Sequence, residues 1–323
     1  MLNTDTIILL AKRFSLPLSI AIGSIGYFAF SAIGPLKPIG SCLGPALQDS
    51  LPYLLFILLF VTFCKIQIRE MMPRKWHFIL QAIRLSMSVL LVIIISLFDD
   101  PSAKIVLEGI FICVICPTAA AAPVIAEKLG GNISSLTIYT IIANIITAIA
   151  VPILFPILEP NAAISFLNAM LLVLSKVSAV LVVPLILALA CRKVIPRLTD
   201  YIKSKKNLAF YIWNFNLIIV TGVTWRNILS ANVSGSCLVL LLITPLFITL
   251  LQFAIGKAVG RRFGESVTAG QALGQKNTVV GIWLTITFLN PLAAVAPGAY
   301  VLWQNMVNAW QLWYYDKHGS LRW

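Results

Sequence analysis

The chain has 323 residues, of which 59% are hydrophobic and 11% are charged, and its mean hydropathy is +0.95. Because an average soluble domain carries about 25% charged residues, this composition excludes a soluble globular protein and indicates a chain that crosses a membrane several times. The net charge of +13 would suit a nucleic-acid partner, but the placement of the basic residues, given below, explains it differently.

Ten apolar stretches follow one another along the chain. Their approximate limits are 14–34, 51–66, 76–98, 105–127, 133–158, 163–190, 208–229, 234–256, 267–290 and 293–314. A bilayer core needs about 20 residues of helix, and only the second stretch is clearly short. The pattern predicts an all-α membrane protein with ten transmembrane helices. The first stretch is interpreted as a retained helix rather than a signal peptide, because further spans follow it.

The basic residues sort by membrane side when the N-terminus is placed in the cytoplasm. Of the 24 Lys and Arg residues, 18 then fall on the inner side, three on the outer side and three within spans. The three on the outer side are Lys37, Lys104 and Arg226. The three within spans are Arg84, Lys176 and Lys276. This bias follows the positive-inside rule and predicts a multi-pass protein of a bacterial-type inner membrane with both termini cytoplasmic. The same bias explains the basic net charge, so the predicted partners are the lipid bilayer and the solute, and neither a nucleic acid nor another protein.

Residues suited to enzymatic chemistry are scarce. Cys113 and Cys116 have CxxC spacing but no histidine or acidic companion, so two small apolar residues on one helix face are the simpler interpretation. The only histidines, His77 and His318, lie near span ends. We therefore predict that the protein is not an enzyme and needs no cofactor.

The fourth and ninth spans each carry helix-breaking residues near their middle. Pro117 and Pro123 interrupt the fourth, and glycines and polar residues run from Gly270 to Gly281 in the ninth. Each is the fourth member of a set of five, so we predict two inverted repeats, residues 1–160 and 161–323, with broken helices 4 and 9 that cross. Matched interruptions are the best sequence indication of a secondary-transporter binding site. The alternative is that the prolines only kink a structural helix and the glycines only allow close packing.

Lys276 lies in the middle of the ninth span, between Gln275 and Asn277. A charge at this depth costs about 2.5–3.5 kcal/mol on insertion scales, so it must face protein or water and find a partner. Unwound backbone at the same depth is tolerated only where it lines a cavity or is buried in protein. The surroundings of Lys276 are therefore the predicted solute site, and a purely structural lysine is the alternative.

Two other cations lie within spans. Lys176, in the middle of the sixth, is a second candidate, unless it only bonds backbone carbonyls or asparagine side chains. Arg84 lies one or two turns inside the third span and is predicted to extend its charged head to the cytoplasmic interface. Glu108 is the only acid within a span. The interior thus holds an excess of positive charge, which favours an anionic solute whose carboxylate or sulfonate completes the pair.

Several of these residues resemble motifs of the bile acid:sodium symporter family. The segment from Cys116-Pro117 to Pro123, followed by Gly131-Asn132 and Thr140, resembles the family's fourth and fifth helices, which read CPGGTASNVxxxLAxGN. Gly274–Gly281 resembles its ninth helix, ExGxQNxGL. The last helix is matched by Asn290-Pro291, Pro297-Gly298-Ala299, Trp303-Gln304-Asn305 and Asn308.

The resemblance implies a panel domain and a core domain, each drawn from both repeats. The core would contain the crossing helices 4 and 9, and the solute would move between the two domains by alternating access. The resemblance implies substrates that are often organic anions, which agrees with the charge argument without selecting among them.

The resemblance also identifies where the chain departs from sodium-coupled members. Ala122 and Pro123 stand where those members have Ser and Asn as sodium ligands. Ala272 and Lys276 stand where they have Glu and Gln. Hard cations require several oxygen ligands, and these four residues supply no side-chain oxygen.

Some oxygen remains near the same positions. Thr140 keeps a hydroxyl, and a shift of one residue in the alignment would restore Gln271 or Gln275. We expect altered or absent sodium coupling, with the ammonium of Lys276 holding the crossing where relatives bind a cation. Exchange of a proton by Lys276 leaves proton coupling open.

The candidate binding residues come from spans 4, 5, 6, 9 and 10. They are Thr118, Ala122, Pro123, Thr140, Lys176, Gln271, Gln275, Lys276, Asn277, Asn305 and Asn308. Asn305 and Asn308 share a helix face, where a hydrogen bond between helices is the alternative role. The predicted function is secondary active transport of a small organic anion, and a non-transporting solute receptor or regulator of the same fold is the alternative.

Overall fold

The structure is a computed structural model that describes residues 14–66, 71–158, 166–205, 207–230 and 234–321. Every regular element in these ranges is a helix, which confirms the all-α class. The physical reason is that an apolar segment in lipid can satisfy its backbone hydrogen bonds only within itself or in a closed barrel.

The described helices are numbered here in chain order. Those of the first half are α1 (Ser15–Ala32), α2 (Lys37–Cys64), α3 (Lys75–Ser96), α4 (Pro101–Ile115), α5 (Ala122–Lys128) and α6 (Ile133–Leu158). Those of the second half are α7 (Phe166–Val194), α8 (Pro196–Ser204), α9 (Leu208–Ser230), α10 (Gly235–Arg261), α11 (Ser266–Gly274), α12 (Thr278–Phe288) and α13 (Val295–His318).

Six segments of the described chain are long and apolar enough to cross a membrane. They contain α1, α2, α3, α6, α9 and α10. Large apolar side chains cover the outside of the bundle, and Ile25, Ile186 and Phe247 are each at least 60% exposed. Polar side chains such as Arg84 and Lys276 are buried inside. This distribution is the reverse of a water-soluble fold and places the perimeter in lipid.

The helices pack in two groups. Helices α1, α2 and α9 contact one another, and α7 packs on α2 and also on α6. Helices α3, α4, α6, α10 and α13 surround the shorter helices α5, α11 and α12. Three apolar clusters fill the second group, and one of them joins α4 to α10 and α13. The other two enclose the interruptions. One joins α4 and α12 to α3 and α6, and the other joins α5 and α11 to α3 and α6. The interruptions in the predicted fourth and ninth spans lie between these clusters.

Helix α2 begins earlier than the sequence pattern predicted. The predicted span started at residue 51, whereas the helix starts at Lys37. Pro38 fits the first turn, where no backbone N–H is required, and the helix continues through Pro45 and Pro52. Its glycines and prolines resemble a loop in sequence, but tertiary contacts with α1, α7 and α9 stabilise a helix there.

The predicted fourth and ninth spans are both interrupted. Helix α4 ends at Ile115 and α5 begins at Ala122, while α11 ends at Gly274 and α12 begins at Thr278. Pro117 lies within the first interruption. Pro123, in contrast, lies in the first turn of α5, so it starts that helix instead of breaking it.

Glycines allow a close approach near the second interruption. A Cβ atom at Gly281 would lie 2.6 Å from Cys116 Sγ, and one at Gly274 would overlap the ring of Phe253. Close packing, one of the two interpretations of the glycine-rich stretch, is therefore part of what these residues do.

Candidate functional site

The two interruptions lie against each other. Thr118 and Lys276 form an isolated antiparallel bridge. Asn277 N donates to Pro117 O at 2.9 Å, and Ala119 N donates to Gln275 O at 3.1 Å. Backbone groups that no helix can satisfy are thus paired across the two spans, which is the condition for unwound backbone at membrane depth.

Lys276 binds the end of helix α4. Its Nζ atom donates to Val114 O at 2.9 Å and to Cys116 O at 3.2 Å, and the residue is only 2% exposed. The last carbonyls of a helix have no partner within the helix, and they form the negative end of its dipole. The ammonium therefore occupies a position that is electrostatically favourable for a cation. Its backbone is held by Gln304, whose Oε1 accepts from Lys276 N at 2.8 Å.

Arg84 binds the same helix end from α3. Its Nη1 donates to Ile115 O at 2.6 Å, to Cys116 O at 3.3 Å and to Thr147 Oγ1 at 2.7 Å. Its Nη2 donates to Ala143 O at 3.2 Å. The prediction that Arg84 extends to the interface is wrong, because the side chain is only 1% exposed. It instead donates hydrogen bonds to carbonyls at the end of α4 that have no partner within that helix. No sequence pattern identifies these partners.

Neither buried cation contacts a carboxylate in the part of the chain that the structure describes. The ion pairs there join other residues. Glu108, which is 4% exposed, accepts from Asn290 N at 3.1 Å. Both side chains therefore converge on Cys116 O, and their partners among the described residues are uncharged: backbone carbonyls, the Thr147 hydroxyl and the Gln81 amide.

The end of α11 is satisfied by side chains in a similar way. Thr118 Oγ1 donates to Ala272 O at 2.6 Å, and the hydroxyl of Tyr300 donates to Gly274 O at 2.8 Å. Gln252 Nε2 donates both to the Tyr300 hydroxyl and to Cys113 O, each at 3.1 Å. Gln252 and Tyr300 were not among the predicted residues. A glutamine within an apolar span was the only signal that could have identified one of them.

A buried cluster of amides lies beside the second interruption. Gln271 Nε2 donates to Gln311 Oε1 at 2.9 Å, and Gln275 Nε2 contacts Gln271 Oε1. Gln304, Asn308 and Gln311 are spaced i, i+4 and i+7 on α13, so Asn308 faces the same interruption.

Several amide atoms in this cluster have no hydrogen-bond partner among the described residues. They are Gln275 Oε1, Asn305 Oδ1, Asn308 Oδ1, Asn308 Nδ2 and Gln311 Nε2. All four residues are fully buried. Buried polar groups are almost always paired with protein or ordered water, so this cluster is suited to water or to the polar groups of a small ligand.

The remaining predicted residues have local partners. Ala122 and Pro123 are buried at the start of α5 and contribute no side-chain oxygen. Thr140 Oγ1 donates to Leu136 O within α6 at 2.9 Å. Asn277 caps α12, with its side chain accepting from Val280 N at 3.4 Å. Lys176 lies on α7, and its side chain is outside the described part of the structure.

Three positions that the resemblance aligns with sodium ligands carry no side-chain oxygen. They are Ala122, Pro123 and Ala272, which are all buried. The carbonyls of Val114, Cys116 and their neighbours accept from two cationic side chains instead. A third cation there would meet strong repulsion, since like charges interact more strongly away from water.

The sequence was compared with models of known protein families. The model of the SBF-like CPA transporter family matches residues 45–307. No curated protein matches the chain.

Proposed function

The chain belongs to the SBF-like CPA transporter family, and from this premise we propose that it is a secondary active transporter that carries a small organic anion across the inner membrane. The family is related to the bile acid:sodium symporters, in line with the resemblance found in the sequence. The observation that carries the choice of an anion is the pair of buried cations, Arg84 and Lys276, which contact no carboxylate among the described residues.

Both cations retain donors for a solute. Lys276 has three N–H groups and uses two. Arg84 has a second N–H on Nη2 beyond the one that binds Ala143 O. A carboxylate or sulfonate would accept these charge-assisted hydrogen bonds, which are about twice as strong as neutral ones. The unpaired amides of Asn308 and Gln275 would orient the rest of the solute.

The proposed architecture has ten spans in two inverted repeats, residues 1–160 and 161–323. Six spans are the long apolar segments described above. Helices α4 and α5 together form the fourth span, and α11 and α12 together form the ninth. Helices α7 and α13 are the remaining two. Helices α1, α2, α7 and α9, with the short α8 that packs on α7 and α2, form the panel domain, and the others form the core. Alternating access is a movement of one domain against the other, which exposes the crossing to each side in turn.

The proposed coupling differs from that of sodium symporters. Arg84 and Lys276 donate to the carbonyls of the crossing, so binding of the solute needs no sodium. The solute's own charge, or a proton exchanged at Lys276, then drives the cycle.

The expected result of a transport assay is sodium-independent exchange of organic acids. The purified protein is first screened for thermal stabilisation by acids that bear one carboxylate or sulfonate, since a ligand of the folded state raises apparent stability. The stabilising acids are then tested, in labelled form, for counterflow in proteoliposomes. Rates in sodium and in potassium buffers should agree within about twofold.

Two outcomes would contradict the proposal. A saturable requirement for sodium would show that oxygen ligands were missed at the crossing. Stabilisation by organic acids without any counterflow would favour a solute receptor of the same fold. Empty liposomes are the control for leak.

We also expect both termini on the cytoplasmic side. In a variant without the six native cysteines, Asp99→Cys and Glu159→Cys should react with an impermeant thiol reagent added outside cells. Lys203→Cys, on α8, should react only after the membrane is opened. Outside labelling of position 203, or protection of position 99, would reverse the proposed orientation.

A further inference from the structure

A cavity of about 590 Å³ lies apart from the helix crossing. It is formed by α1, α2 and α9 at the end of the bundle where α1 turns into α2. None of the candidate binding residues lines it. Its volume is in the range of sites that hold a small ligand, about 300–1,000 Å³.

The charge of this cavity is confined to one end. Lys37, at the start of α2, and Arg226, in the last turns of α9, are the charged residues among those that line it. Both are exposed, and neither side chain forms an ion pair or hydrogen bond within the described ranges. In the proposed topology they are two of the three outer cations. The third, Lys104, does not line the cavity.

The body of the cavity is apolar and is kept open by glycine. Apart from a few hydroxyls, its walls are residues such as Ile22, Leu43 and Val223. A Cβ atom at Gly26 or Gly44 would meet no heavy atom within 4 Å. The open space at these two positions is therefore part of the cavity, which is called the groove below. A larger side chain at either position would fill the groove without displacing its neighbours.

We propose that this groove binds one anionic phospholipid, with its phosphate at Lys37 and Arg226 and an acyl chain along the glycine-lined wall. The argument is charge complementarity: the ligand must be negative at one end, apolar along its length, and available at a surface that faces lipid. Basic residues beside a membrane attract anionic lipids. The leaflet depends on the topology under the proposed function, whereas the choice of lipid does not.

A second copy of the chain fits the groove less well. A two-fold contact through this face would place the same residues of both copies near one another. Lys37 and Arg226 of one copy would then approach the same cations of the other, and this repulsion disfavours a dimer.

Native mass spectrometry of the delipidated, full-length protein in detergent tests the proposal. Dioleoyl phosphatidylglycerol should bind at one site, and dioleoyl phosphatidylcholine, with the same chains, should bind much more weakly. The double variant Lys37→Gln/Arg226→Gln should bind phosphatidylglycerol about 30-fold more weakly. Lys104→Gln, which removes a cation of the same membrane side, should leave binding unchanged.

A second pair of variants tests the apolar part of the groove. Gly44→Leu fills it and should reduce phosphatidylglycerol binding at least tenfold, since the acyl chain loses its space. Gly235→Leu is the matched control, because a Cβ there also meets no atom within 4 Å but does not line the groove.

Three results would overturn the lipid assignment. They are equal binding of the two lipids, full binding by the double variant, or a dimer that Gly44→Leu dissociates. The readout requires no transport, so a failed transport assay and a failed lipid assay are distinguishable.

Discussion

Replacing Lys276 with methionine is expected to lower the stability of the protein by about 3 kcal/mol and to abolish transport. Hydrogen bonds to charged groups contribute roughly 1.5–3 kcal/mol, and a buried group left unpaired costs about 1–3 kcal/mol. Lys276 is the side chain that donates to Val114 O, so methionine leaves that carbonyl without a donor. Cys116 O keeps its bond from Arg84, which limits the total.

The measurement is thermal unfolding in detergent together with counterflow of the acid that the ligand screen identifies. Lys276→Gln is the matched variant, because its amide keeps an N–H donor but removes the charge. It should unfold closer to wild type and still transport poorly. The resemblance to sodium symporters aligns this position with a glutamine, so this is also the variant in which we expect a weak sodium response, limited by Ala272. Lys193→Met, at an exposed lysine of α7, controls for loss of a surface charge.

Wild-type transport in Lys276→Met would contradict the anion-binding role. Wild-type stability in the same variant would show that Val114 O finds another partner and that the ammonium is not needed to hold the crossing.

Replacing Arg84 with methionine is expected to destabilise the protein by about 2–3 kcal/mol, somewhat less than the loss of Lys276. Arg84 makes more hydrogen bonds, but its acceptors are shared. Ile115 O also accepts from Thr147 Oγ1 at 3.3 Å, and Cys116 O also accepts from Lys276. Charge-assisted bonds are still lost. Arg84→Lys keeps the charge but not the planar fork, so its stability should lie between those of wild type and Arg84→Met.

A double-mutant cycle tests the interaction between Arg84 and Lys276, and the structure predicts the sign of the interaction energy. In Arg84→Met and in Lys276→Met, Cys116 O keeps one donor, and repulsion between the two cations disappears in each. In the double variant, Cys116 O loses both donors, and the repulsion is relieved only once. Both effects make the double variant less stable than the sum of the single losses, by roughly 0.5–3 kcal/mol.

The cycle is measured by thermal or denaturant unfolding of all four proteins in the same detergent. Simple additivity would show that the two side chains act independently. A double variant more stable than the sum would show that the two side chains support each other, so that losing one already removes part of what the other contributes. The variant Gln81→Leu measures how much the bond from Arg84 Nε to Gln81 contributes to the stability, because it removes only that bond of Arg84.

The interruptions of the fourth and ninth spans were predictable because their causes are local. Pro117 lacks an N–H and restricts its neighbour, and Gly274 weakens a helix wherever it stands. The burial of Lys276 was predictable as well, because a charge in an apolar span must find protein or water. Pro123 was misinterpreted, since a proline that starts a helix and one that breaks it look alike until the helix limits are known.

The amino-acid sequence alone was sufficient for the membrane class, the helical class and the positions of both interruptions. These depend on hydrophobicity and backbone preference, which act within a few residues. The role of Arg84 emerged only from the folded chain. Its partners Ile115 and Thr147 lie 31 and 63 residues away, and which of them it binds depends on how α3 packs against α4 and α6. Hydrogen bonds between helices are chosen by tertiary packing, because a helix presents several polar faces and only its neighbours decide which face is buried.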